Sequence, residues 1–480
     1  MEETVTHKTA RTSFWGGIEK VGSLGAQFVV SMLLARLLSP SDYGVVAMLM
    51  VFLAIANQIV SCGFVNALIR KTECKSVDYN TAFYFNVVVS LICYLCLYLI
   101  APYVARFYKM ELLCSVMRVT ALSIPLGALT LVQDAILLRN LEAKKNAFIT
   151  TSTAIIGGVI AVWLAYRGWG VWALVFHQLL GSILRVIFLW ARTSWLPKLE
   201  YSIDSMRYLW RFGSKMLLTG LISVTYSNIY SILIGKFFNS NLLGLFNRGQ
   251  NVAILLPNVI ESVFVKNSLP IMSQLQLDKE KLPHVYNEFI KLTCFLTFPI
   301  VTLTIILAKP FVELVLTEKW LGCVIYIQLF SINAVFSPAN SVNLNLLQAL
   351  GRSDYTLKAE IIKKSLGFIM VFLLLPFGPL YLAIGYNIFG MFCVGVNCYY
   401  AKKLSGLSYW YQIKGVLPIL ISCVLMGIVV FFSIFLFDYS LFKLIVGILI
   451  AIISYYIITC NILKLEIAEK ILSMIKRKSI

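Results

Sequence analysis

The sequence predicts an all-α polytopic membrane protein of about 14 transmembrane helices, built as two parallel pseudo-repeated six-helix lobes and a C-terminal helix pair. Three observations predict it. Of the 480 residues 59% are hydrophobic and only 13% charged, against about 25% charged in soluble globular domains, and the mean hydropathy is +0.84. The apolar residues are gathered into runs long enough to cross a hydrocarbon core of roughly 30 Å. And one stretch occurs twice. SLGAQFVVSMLLARLLSPSDYG at 23–44 returns as SVTYSNIYSILIGKFFNSNLLG at 223–244, with Ser23, Ser31, Leu33 and Gly44 matched by Ser223, Ser231, Leu233 and Gly244, and Arg36 by Lys236. A fixed offset of this kind marks an internal duplication.

In chain order the runs of a first lobe (1–200) are 14–35, 44–67, 80–101, 112–138, 147–166 and 170–191. Those of a second lobe (201–410) are 213–234, 243–267, 289–308, 323–347, 360–376 and 380–400. The terminal pair, 415–436 and 441–462, lies with a basic tail in 411–480. Residues 1–11 are polar and the first run is long enough to span, so it reads as a retained helix and not as a cleavable signal. Each copy of the repeat is an apolar helix that ends in a basic residue, a short polar turn, and a glycine that opens the next run: a membrane hairpin. Six runs separate the copies, so both enter the membrane in the same direction. A weaker echo pairs Cys114 and Leu141 with Cys323 and Leu350 at an offset of 209. The second lobe therefore carries extra residues, which the charged segment around Asp278, Lys279, Glu280 and Lys281 accommodates.

Orientation follows from the basic loop residues. With a cytoplasmic amino terminus, the inner segments hold Arg70, Lys71 and Lys75, then Arg139, Lys144 and Lys145, then Arg192, Lys198, Arg207 and Arg211, then Lys402 and Lys403, and the tail adds Lys476, Arg477 and Lys478. The outer segments hold far fewer. Both termini are then cytoplasmic. Much of the formal net charge of +19 is topological and does not indicate a nucleic-acid partner. The cysteines lie mostly inside apolar runs, where Cys packs as a small hydrophobe. Cys93 and Cys96 form a C-x-x-C with no second ligand pair, so neither a metal nor a cofactor is expected.

Three short segments carry a family resemblance: ARLLSPSDYG, LGLFNRGQ at 243–250 and SLPIMSQLQ at 268–276. They resemble the bacterial polysaccharide exporters of the multidrug/oligosaccharidyl-lipid/polysaccharide superfamily, and more closely its Wzx-type flippases. The likeness in layout covers essentially the whole chain. It implies a transporter of the bacterial inner membrane, not an enzyme, whose cargo is an undecaprenyl-diphosphate-linked oligosaccharide for O-antigen, capsule or exopolysaccharide synthesis.

The residues give an independent argument. An ionisable side chain inside a span is costly against lipid and is a functional candidate by default. Such residues are Glu19 and Lys20 in the first run, Arg118 and Asp134 in the fourth, Arg185 in the sixth, Lys215 in the seventh, and Arg248 and Glu261 in the eighth. Cations outnumber carboxylates, and a cation suits a diphosphate, Arg bidentately and Lys as a point charge. Polar stripes accompany them: Lys20, Ser23, Gln27 and Ser31; Gln178, Ser182 and Arg185; Asn333, Ser337, Asn340 and Asn343. Hydroxyl and amide groups in such stripes suit sugars. The expected substrate-binding set is therefore Lys20, Arg118, Arg185, Lys215, Arg248, Gln27 and Asn340. Glu19, Asp134 and Glu261 are candidates for coupling to protons or sodium. The plain alternatives are snorkelling of the cations to headgroups and interhelical hydrogen bonding by the polar stripes.

Two other functions compete. A multidrug extruder of the same superfamily would call for carboxylates to dominate the spans. A membrane glycosyltransferase or polysaccharide polymerase would call for a sizeable outer loop with catalytic Asp, Glu or Arg, whereas the outer loops are short and the first offers only Asp42.

Overall fold

The computed structural model describes residues 25–469 apart from Thr72, Leu141, Lys279, Leu407 and Ser408, and the described residues form helices and no strand. The helices of the first half are α1 (Gly25–Leu37), α2 (Pro40–Arg70), α3 (Ser76–Tyr108), α4 (Leu112–Ala128 and Leu131–Arg139), α5 (Lys144–Tyr166), α6 (Val171–Arg192) and α7 (Ile203–Ser227 and Ile229–Phe237). Helix α8 (Ser240–Ile260) continues through a π turn, Glu261–Val265, into Lys266–Gln274. There follow α9 (Lys281–Ile306), α10 (Glu318–Ala349), α11 (Ser353–Leu374), α12 (Pro379–Ser405), α13 (Tyr409–Ile434) and α14 (Ser440–Ile462).

Among the described residues nine helices are long and apolar enough to cross a membrane, or eleven if the bent pairs α4 and α7 each count as one span. The other three runs of the sequence contain α1, α8 and α11, the last two interrupted by charges such as Arg248 and Glu261 or Glu360 and Lys363. The chain is a multi-pass membrane protein. Large apolar side chains on α13 and α14 are exposed, among them Phe432 and Ile452, as suits lipid contact.

Two runs that the sequence shows as continuous are bent. Helix α4 turns by 41° between Ala128 and Leu131, and α7 by 42° between Ser227 and Ile229. In α4 the Thr130 hydroxyl donates to the Gly127 carbonyl at 2.8 Å. In α7 the Asn228 side-chain amide donates to the Val224 carbonyl at 2.8 Å. Side chains that bond the backbone in this way compete with the helical ladder, and bends in helices have such local causes.

The chain divides into two units, residues 1–244 and 245–480. In the first, the start of α2 is fixed by Pro40 in its first turn and by a capping box. Asp42 accepts the Ser39 backbone N–H at 2.9 Å, and the Asp42 N–H donates to the Ser39 hydroxyl at 3.3 Å. A core of Phe64, Leu68, Phe83, Val132 and Leu209 joins α2, α3, α4 and α7. Beside it the buried Asp78 accepts from Lys71 at 2.7 Å and from the Lys75 backbone at 2.8 Å. The Asn80 side chain ties the start of α3 to the 193–202 segment, donating to Glu200 at 3.0 Å and accepting the Lys198 N–H at 3.2 Å.

In the second unit Tyr286 of α9 is fully buried. Its hydroxyl lies 2.8 Å from the side-chain oxygens of both Asn343 on α10 and Gln412 on α13. Apolar contacts continue along α13 and α14 through Met426, Val430 and Ala451 against Leu303 and Ile306 of α9. The terminal helix pair is thus packed into this unit by its own polar anchor, a buried group that would be costly to leave unpaired.

Candidate functional site

In the first unit the bend of α4 opens a cavity of about 360 Å³ against α2, lined by Asn57, Gln58, Ser61, Gly127 and Thr130 among others. One turn beyond the bend, Asp134 accepts Arg185 of α6 at 2.7 Å, with the two side chains 23% and 29% exposed. The same guanidinium donates to Thr150 at 3.3 Å and to Asn146 at 3.5 Å on α5. Three helices therefore meet at one arginine. Gln178 and Ser182 continue that face of α6, and the Gln178 amide reaches the Ser123 hydroxyl at 3.5 Å.

The other candidates of this unit lie on separate helices. Lys215 and Gln27 are exposed on α7 and α1, and Lys215 forms no salt bridge among the described residues. The Arg118 guanidinium lies 4.3 Å from the ring centre of Tyr98 and donates to the Tyr98 carbonyl at 3.4 Å. Glu19 and Lys20 lie outside the described residues.

In the second unit Arg248 is only 6% exposed, its guanidinium 5.7 Å from the ring centre of the fully buried Trp320. Glu261 opens the π turn of α8, four residues after Pro257, which has no N–H to give the helical ladder. Its carboxylate accepts the hydroxyl of Ser337 at 2.8 Å and that of Ser341, both on α10. A cavity of about 550 Å³ opens beside it, lined also by Asn258, Ser262, Ser341 and Asn345. The Asn345 amide donates to the Val265 carbonyl and the Ser268 hydroxyl, both at 2.9 Å, and so braces the π turn.

The polar stripe of α10 does not act as one surface. The helix is interrupted between Ala334 and Ser337, and its members turn to different neighbours. Asn333 donates to the Tyr386 carbonyl at 2.8 Å, Asn340 accepts from Asn397 of α12 at 3.1 Å, and Asn343 is buried beside Tyr286. Sequence reasoning missed the cavity residues Asn57, Gln58, Asn258 and Asn345. The signal was present in the duplication, because the offset of 200 that relates Gly44 to Gly244 also relates Gln58 to Asn258 and Ser61 to Glu261.

The fold is shared with solved membrane proteins. A solved structure described as the lipid II flippase MurJ in an inward closed conformation superimposes with a TM-score of 0.74 at 14% identity, over 94% of this chain and 98% of that one. An inward-facing multidrug resistance MATE family transporter of the MOP superfamily superimposes with a TM-score of 0.63 at 15% identity, over 79% of this chain and 94% of the other. Residues 33–325, more than half of the chain, match the polysaccharide biosynthesis protein family, and the chain belongs to it. Among curated relatives, the lipopolysaccharide biosynthesis protein WzxC of Escherichia coli K12 is 23% identical over 86% of this chain and 82% of its own length. The succinoglycan biosynthesis transport protein ExoT of Rhizobium meliloti is 24% identical over 67% and 65%.

Proposed function

We propose that this protein is a flippase that carries an undecaprenyl-diphosphate-linked oligosaccharide across the bacterial inner membrane for cell-surface polysaccharide synthesis. The lobes 1–200 and 201–410 alternate in access, with both termini cytoplasmic and the pair in 411–480 supporting the second lobe. No bond is made or broken.

The observation that carries the reading is the Arg185–Asp134 pair, partly exposed and one turn from a polar cavity in a chain of the polysaccharide biosynthesis family. A diphosphate bears about two negative charges and must be met by cations already in place, because desolvating it unpaired is prohibitive. Its oxygens compete with Asp134, which takes a single contact from Nη2 at 2.7 Å, for a guanidinium whose fork suits a diphosphate bidentately. Binding of a proton or sodium ion to Asp134 releases Arg185 toward the diphosphate, so cargo and coupling ion are linked through one residue pair. Lys215 and Lys20 are proposed as further point charges for the diphosphate. Arg118 and Arg248, held against aromatic rings, add positive charge for the diphosphate, and Gln27 and Asn340 contact the glycan. Glu19 is the second coupling group.

Thermal unfolding of the purified protein tests this reading. A polyprenyl diphosphate is expected to raise the unfolding temperature of the parent but not of Arg185→Ala. Stabilisation by a cationic dye and not by the lipid diphosphate would favour the multidrug reading instead.

A further inference from the structure

We infer that the cavity between α8 and α10 is a subsite for one pyranose residue of the transported glycan, with Glu261 accepting two adjacent sugar hydroxyls. The inference rests on the flippase reading and names the part of the cargo that the second unit holds.

Size points away from a bare ion. The cavity measures about 550 Å³, within the roughly 300–1,000 Å³ of small-molecule sites and far above the about 30 Å³ that one water occupies. Its lining is of two kinds. Amide, hydroxyl and carboxylate groups come from Asn258, Glu261, Ser262 and Asn345, while Val265, Leu269 and Leu344 supply apolar surface. A pyranose presents the same pair of surfaces, hydroxyls around its edge and C–H groups on its faces.

The carboxylate is prepared for a diol. Ser337 and Ser341 each donate to a different oxygen of Glu261, which fixes the plane of the group and uses two of its about four acceptor sites. Glu261 forms no salt bridge among the described residues. Two vicinal hydroxyls, each donating one hydrogen bond, complete its set without bringing in a charge. The π turn that places Glu261 is a feature found often at functional sites, and Asn345 holds it from α10.

The duplication supplies a second line of support. Gln58 and Ser61, which stand where Asn258 and Glu261 stand in the repeat, line the 360 Å³ cavity of the first unit. Both copies thus retain a polar cavity at one place, and only the second bears a carboxylate there. The two cavities are expected to differ in the sugars they accept.

The test uses the full-length protein in lipid nanodiscs, free of sugar-based detergent, with methyl pyranosides of glucose, galactose, mannose and N-acetylglucosamine as probes in saturation-transfer NMR. At least one pyranoside is expected to give a signal that falls five-fold or more in both Glu261→Gln and Asn258→Ala and is unchanged in Lys403→Ala. Thermal unfolding of each variant identifies any that does not fold, and Ser262→Ala then takes its place. The inference is overturned if no pyranoside binds the parent, if the signal is equal in parent and variants, or if the residues bind sodium and the sugar signal is indifferent to them. Failure of the flippase reading looks different. Cells without the protein would then accumulate no lipid-linked glycan. If glycan does accumulate, and Glu261→Gln and Asn258→Ala both restore full export, only the subsite is wrong.

Discussion

A Cβ on Gly44 would stand 1.8 Å from the backbone oxygen of Ser240, and one on Gly244 would stand 1.9 Å from that of Pro40. These four residues are two pairs at the same offset in the duplicated segment, so the contact is reciprocal. The first turn of α2 receives that of α8, and the first turn of α8 receives that of α2. Hydrogen at both positions 44 and 244 is what permits the approach, since the opposing atoms are backbone and cannot rotate away. The hydroxyls of Ser41 and Ser240 lie 2.7 Å apart at the same crossing.

An added methyl at this crossing must therefore separate two helix ends. Overpacking of this kind destabilises by about 1–3 kcal/mol. In a Ser41→Cys/Ser240→Cys protein a disulfide is expected to form readily on mild oxidation, and adding Gly44→Ala is expected to slow its formation at least ten-fold. Gel mobility after alkylation reads both. Equal rates with and without Gly44→Ala would mean that the helix ends do not make this contact.

The Arg185–Asp134 pair separates a structural role from a binding one. If the pair only holds α4 to α6, replacing both residues together removes charge from both sides, and export is restored relative to Arg185→Ala alone. The proposed binding role predicts otherwise. Arg185→Ala and the double variant Arg185→Ala/Asp134→Ala are both expected to export at least ten-fold more slowly than the parent, with Arg185→Lys losing less because the charge survives without the bidentate geometry. Export rates at matched membrane levels decide between the two.

Docking of the terminal helices has its own test. Tyr286→Phe removes the hydroxyl that faces the Asn343 and Gln412 oxygens; the Gln412 oxygen keeps Cys398 and Asn343 as donors, whereas the Asn343 oxygen loses Tyr286, and leaving a buried group of this kind unsatisfied costs about 1–3 kcal/mol. A lower unfolding temperature is expected for Tyr286→Phe and for Gln412→Ala, with nothing comparable for the exposed Ile452→Ala on α14. Truncation after Lys403 removes Gln412 as well, and it is expected to destabilise the second unit even where insertion is normal. Unchanged unfolding of Tyr286→Phe would show that α13 is held by apolar packing alone.

Topology is tested with reporter fusions. Those after Lys145 and Lys403 are expected to read cytoplasmic and one after Arg167 external. An external reading at Lys145 would contradict the orientation drawn from the basic loops.

Much of the fold was legible because hydropathy and length are what a bilayer selects. Runs such as 170–191 and 415–436 could be little else, and the repeat was visible as matched letters at 23–44 and 223–244. Where the backbone departs from a straight helix, hydropathy is silent. The bends after Ala128 and at Asn228 and the π turn at Glu261 depend on side-chain bonds to the backbone and on a proline, none of which alters the apolar average. The same blindness affected the site. Asn333, Ser337, Asn340 and Asn343 share a face only if α10 is continuous, and its interruption before Ser337 sends them to different helices. Asp134 and Arg185 were both singled out by their charge, yet nothing in a separation of 51 residues says that they touch. Ser41 and Ser240 could be aligned in the repeat, but not placed against each other.

The central claim is that the cargo is a lipid-linked glycan. Its most direct test is deletion of the gene, followed by mass spectrometry of the polyprenyl diphosphates in the membrane. One oligosaccharide-bearing polyprenyl diphosphate is expected to accumulate, to disappear when the parent gene is restored, and to persist when Arg185→Ala is supplied instead. An unchanged lipid-linked glycan profile, accompanied by increased sensitivity to cationic drugs, would contradict the account.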